Sequence, residues 1–134
     1  MSRFSRSLLG LPAALSCLTA CGARATSARI DDEVFRVSCT FSSCHQPPSS
    51  RGDLDLTSPA YDRIVGVAST ERPEKVRVAP GSPDQSYLLD KLLGRDLPAG
   101  PADEPWTSMP PESPLDDERI ELVRDWISDG APRE

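Results

Sequence analysis

Fourteen prolines are spread along a chain of 134 residues in which only 5% are aromatic. So little bulky apolar material makes a thin core. A domain with a thin core needs a staple: a disulfide, a metal or a cofactor. The length suits one domain once any leader is removed.

The N-terminus reads as such a leader. Arg3 and Arg6 form a basic start, and Leu8, Leu9, Leu11, Ala13, Ala14, Leu15 and Leu18 form a short apolar core. That run is too short to span a membrane and matches a secretory signal. Its end, Leu18-Thr19-Ala20-Cys21, resembles the lipobox of bacterial lipoproteins. The resemblance implies lipidation of Cys21, export to the periplasm and, with Gly22 in the sorting position, the outer membrane. The expected organisation is a signal at 1–20, a lipidated tether at 21–32 and a folded domain at 33–134. The tether assignment rests on its Gly, Ala, Thr, Ser and Arg content.

The formal charge is −6 over the whole chain. Without Arg3 and Arg6, 13 basic residues face 21 acidic ones, or −8. An acidic surface argues against nucleic acid and anionic lipid headgroups, and it suits a basic protein partner.

Short helices separated by long loops account for the rest of the pattern. Asp31 to Val37 reads as a helix with an acidic start. Gly52-Asp53-Leu54-Asp55-Leu56 alternates polar and apolar residues, and Thr57 or Ser58 is placed to cap a helix beginning at Pro59. Ser82-Pro83-Asp84-Gln85 carries a helix-start signature, the helix continues through Tyr87, Leu88, Leu89, Leu92 and Leu93, and Gly94 stops it. Ser113-Pro114-Leu115-Asp116 repeats the signature before a last helix ending near Asp129. Ile120, Val123 and Ile127 form its stripe, beside Leu122 and Trp126. The fold class is mostly α. Loops this long in a small domain are usually functional or wrapped around something.

Cys39-Thr40-Phe41-Ser42-Ser43-Cys44-His45 carries the chemistry. With Cys17 in the leader and Cys21 lipidated, Cys39 and Cys44 are the pair left in an oxidising compartment. The cysteines alone leave open a disulfide, two thioether attachments or a metal site. Structural zinc needs four ligands and three are present. A thiol oxidoreductase needs C-x-x-C near a βαβ pattern, and neither is found. Haem attachment needs two thiols followed by a histidine, with two residues between the thiols; here there are four. On a continuous helix, cysteines five apart point about 140° apart. Thr40 to Ser43 must therefore loop out if both sulfurs are to reach one porphyrin. Met109, in the Met109-Pro110-Pro111 loop, is the one methionine outside the leader, and methionine is a common second axial ligand.

Taken in order, the motifs resemble the small monohaem c-type cytochrome domains of secreted bacterial proteins. The matching segments are Cys39 to His45, Gly52 to Leu56, Pro80-Gly81-Ser82-Pro83-Asp84-Gln85-Ser86-Tyr87-Leu88, Met109-Pro110-Pro111 and Trp126-Ile127-Ser128-Asp129-Gly130-Ala131. The resemblance implies a cytochrome c-like fold wrapped around one covalent haem c. It implies thioether bonds from Cys39 and Cys44, axial ligands His45 and Met109, and a terminal helix packed across the N-terminal one. The implied role is electron transfer with a redox protein partner and no catalysis. The alternative class is a disulfide-stapled binding or scaffold lipoprotein. Without Met109 as a ligand, a five-coordinate iron with peroxidatic chemistry becomes possible.

Overall fold

The computed structural model describes residues 24–100 and 106–134. The expected signal, with Cys17, Cys21 and Gly22, lies outside the described residues. Short helices and loops make up the fold. Among the described residues, β pairing is confined to isolated bridges, Val65 with Val78, Ala68 with Val76 and Val76 with Ser86.

The N-terminal helical run has three parts: α1, Ser27–Ile30; a π-helical turn, Asp31–Phe35; and α2, Arg36–Ser38. Thr26 caps it, its Oγ1 accepting the Arg29 N–H at 3.4 Å. The run starts ahead of the boundary expected at residue 33. Ala25 and Ile30 belong to the core, so the latter part of the expected tether is folded. An i→i+5 turn stacks residues five apart. Ile30, Val34 and Phe35 are thereby all fully buried, while Val37 remains 43% exposed.

Asp31 does more than favour a helix dipole. Its carboxylate is buried and accepts the Ser58 hydroxyl at 2.8 Å and the Ala60 N–H at 3.4 Å. Helix α3, Tyr61–Ile64, starts after the expected Pro59 and has no side-chain cap of its own. The anticipated cap at Thr57 or Ser58 is thus replaced from a distant segment, and Ser58 instead donates to Asp31.

The helix expected from Ser82 is split. A 3₁₀ turn, Pro83–Gln85, precedes α4, Tyr87–Leu93. Between them Ser86 is extended (φ −95°, ψ 107°). Its buried hydroxyl accepts the Ala79 N–H at 2.8 Å and donates to the Ser82 carbonyl at 3.0 Å. Gly94 ends α4 in the left-handed region (φ 64°), as the sequence predicts.

Helix α5, Asp117–Ser128, is capped by Asp116, whose Oδ1 accepts the Arg119 N–H at 2.9 Å. Ser113 is not the cap. Ile120, Val123, Trp126 and Ile127 face the core. Trp126 is fully buried, meets Tyr61 edge-on at 6.4 Å, and donates its indole N–H to the Pro132 carbonyl at 2.8 Å. The helix packs on the N-terminal run, where Arg119 Nε donates to the Glu33 carbonyl at 2.9 Å. Ser27 pairs with the C-terminal tail: its N–H donates to the Pro132 carbonyl at 3.2 Å and its hydroxyl to the Arg133 carbonyl at 2.8 Å. Among the described residues, no helix is long and apolar enough to cross a membrane.

Candidate functional site

The backbone leaves the helix at Cys39 (φ −122°, ψ −28°). The N–H groups of Cys39 and Thr40 both donate to the Phe35 carbonyl, at 2.8 and 3.0 Å. The chain then turns, with the Cys44 N–H on the Phe41 carbonyl at 2.8 Å, and doubles back. The His45 N–H closes the loop on the Cys39 carbonyl at 3.1 Å. Thr40 to Ser43 therefore loop out of the helix, as two sulfurs serving one group would require. Arg51 braces the loop, its Nε donating to the Ser43 carbonyl at 2.7 Å.

His45 is also fixed by its ring. Nδ1 lies 3.2 Å from the Leu54 carbonyl, and the His45 carbonyl accepts the Leu56 N–H at 2.8 Å. A carbonyl only accepts, so Nδ1 carries a proton, and in the neutral ring the lone pair lies on Nε2. That is the arrangement used by metal-binding histidines.

Two adjoining hollows meet at this loop. The inner cavity, about 250 Å³, runs between Leu54, Leu56, Ile64, Leu88 and Leu92. The outer groove, about 720 Å³, is bordered by Cys44, Phe41, Pro110 and Pro111. Cys39, His45, Arg51, Thr107 and Met109 line both. The four residues singled out by the sequence, Cys39, Cys44, His45 and Met109, all border the outer groove, which is largely apolar and of the size class that holds cofactors. Met109 arrives from the far side of the sequence, its N–H donating to the Lys91 carbonyl at 2.8 Å. Cys21, the expected lipid site, lies outside the described residues.

Both thiols are free. Cys39 is buried, and Cys44 is half-buried. Burial first, and then the nearby Cys44 sulfur, push the Cys39 thiol up to about 12. The thiolate is the reactive form, so the two should differ in solution chemistry. In the reduced chain without cofactor, iodoacetamide at pH 8 is expected to label Cys44 at least about tenfold faster than Cys39. Peptide mapping checks this, and equal rates would contradict the burial difference.

The donor set and its setting fit a covalent haem: two unpaired sulfurs, an imidazole whose Nδ1 is taken by a carbonyl, a thioether, and largely apolar walls. Among the described residues, no three His, Cys, Asp or Glu side chains gather as ligands for a bare metal ion. Asp117, Glu118 and Glu121 are exposed along the start of α5, while Asp116 is spent on its cap.

The sequence reading passed over a polar group at the inner end of the cavity. Glu71, Tyr87 and Lys91 line it. The Tyr87 hydroxyl donates to Glu71 Oε2 at 2.6 Å; burial, and then that bond, raise its pKa above the usual phenol value. The available signal was the pair Asp90-Lys91 inside the apolar run Tyr87 to Leu93, charges where the core face leaves no polar side. Set against known proteins, the chain matches no family model, no curated protein and no solved structure.

Proposed function

We propose that this chain is an exported, lipid-anchored c-type cytochrome domain that carries single electrons. Cys39 and Cys44 would bond the haem covalently, and His45 and Met109 would be its axial ligands. The observation that carries this reading is that those four residues all border one largely apolar groove. The looped-out Thr40 to Ser43 segment supports it, because the two cysteines do not sit on the continuous helix that would point them apart. The packing of α5 across the N-terminal helical run also agrees with the cytochrome c-like arrangement.

When bound, haem supplies a one-electron couple whose potential its ligands and surroundings tune. The chain's own groups do the rest. The Leu54 carbonyl fixes the His45 tautomer and orients the ring. Leu54, Leu56, Ile64 and Leu92 exclude water and lower the local dielectric. With His45 and Met109 both holding the iron, no position would be left for a substrate, and the role would be transfer without catalysis. The redox partner would be a protein that tolerates an acidic surface. The membrane would be reached through lipid on Cys21, in the periplasm and on the outer membrane.

Intact mass and the reduced visible spectrum of the secreted protein test this. The expected result is one added haem, a lipidated N-terminus and sharp visible bands. A colourless protein with Cys39 and Cys44 joined as a disulfide would replace this reading with the scaffold lipoprotein. Met109→Ala is expected to keep the haem attached, alter the spectrum and lower the potential. A spectrum and potential equal to wild type would remove Met109 from the ligand set.

A further inference from the structure

Lys91 is 9% exposed in α4, where it and the neighbouring buried Asp90 interrupt a run of apolar residues. Burying an ammonium is costly unless it is well paired, and a methionine or leucine would fill the space without that cost. Its contacts suggest why a cation is kept. The ammonium lies 3.0 Å from Glu71 Oε2, and the Tyr87 hydroxyl holds the same carboxylate. The ammonium also sits 5.4 Å from the centroid of the Trp106 ring, within cation–π range. The backbone carbonyl of Lys91 takes the Met109 N–H at 2.8 Å. One residue of α4 therefore holds the segment from Trp106 to Met109 at both ends. Just beyond it, a Cβ on Gly94 would come within 3.3 Å of Ser108 Cβ, so the same segment lies tightly against the end of the helix.

We propose that Lys91 is a positioning residue that clamps the Met109 loop onto α4, with Glu71 aiming its ammonium at Trp106. This rests on the reading of Met109 as an axial ligand. The clamp's function is to keep the sulfur at the iron against competing ligands. An unclamped loop would swing away more often and yield the sixth position to an external base.

Lys91→Met keeps the carbonyl, the stem and the volume but removes the charge, whereas Lys91→Arg keeps a cation for the ring. Two measurements on each holoprotein decide the matter: titration of the ferric form with imidazole, and hydrogen exchange at the Met109 amide. Lys91→Met is expected to bind imidazole about tenfold more tightly than wild type. Its Met109 amide should exchange about tenfold faster while α5 amides hold their rates. Lys91→Arg should fall near wild type in both. Wild-type imidazole affinity together with wild-type exchange in Lys91→Met would overturn the clamp. Should Lys91→Met fail to fold, Trp106→Leu removes the other half of the contact and is expected to give the same two changes; unchanged values there overturn it equally. The two readings fail differently. A wild-type protein without haem sinks the cytochrome assignment, and amide exchange then still decides whether Lys91 holds the loop.

Discussion

His45→Ala is expected to produce a secreted chain carrying no covalent haem. The expectation follows from how many constraints meet at this one side chain. The ring is held through Nδ1 by the Leu54 carbonyl, and the backbone is held on both sides, by the Cys39 carbonyl and the Leu56 N–H. Alanine keeps both backbone bonds, so the loop should persist while the ligand disappears. The effect should therefore fall on cofactor content and not on folding. Haem staining of denaturing gels should lose nearly all its signal, and circular dichroism of the purified chain should stay close to that of the cofactor-free wild type. Normal haem content with an unchanged spectrum would mean that another group ligates the iron. Loss of both haem and helix would mean that His45 is structural first.

Trp126→Ala is expected to cost about 3–5 kcal/mol of folding stability. Trp126 is fully buried, stacks edge-on with Tyr61, and ties α5 to the C-terminal tail through its indole N–H. Alanine would leave a cavity in the middle of the core and a Pro132 carbonyl held only by the Ser27 N–H. Domains of this kind hold roughly 5–15 kcal/mol in total, so the variant should sit close to its unfolding threshold at ambient temperature. Urea denaturation of the cofactor-free chain reads the change directly. Trp126→Phe retains the ring packing without the hydrogen bond and should lose less than half as much. A midpoint for Trp126→Ala near that of wild type would show that the core does not depend on this residue.

The parts of the structure legible in the sequence are those fixed by local pattern. Gly94 stops α4 because its left-handed turn is a property of one residue. The apolar stripe Ile120, Val123 and Ile127 faces inward because helical spacing decides it. Cys39, Cys44, His45 and Met109 could be chosen because few residue types can hold the proposed haem, and the structure places all four along one groove. What escaped depends on distant partners. No local signal says that Asp31 will receive the Ala60 N–H, or that Ser86 will break the helix after Gln85 to bridge with Val76. The π turn at Asp31–Phe35 is equally silent, since it is needed only once Val34 and Phe35 both have a core to enter. Lys91 was visible as an anomaly, a charge in an apolar run, but its meaning appears only with Trp106 and Glu71 beside it.

The clasp between Ser27 and the carbonyls of Pro132 and Arg133 has a consequence in time. The first helical turn gains these two bonds only when the last residues of the chain are in place, and Trp126 reaches the core only when α5 does. A chain exported from its N-terminus, as proposed above, would therefore be unable to close its core until almost all of it had emerged. Throughout that interval the segment around Cys44 would stay open to attachment of the proposed haem.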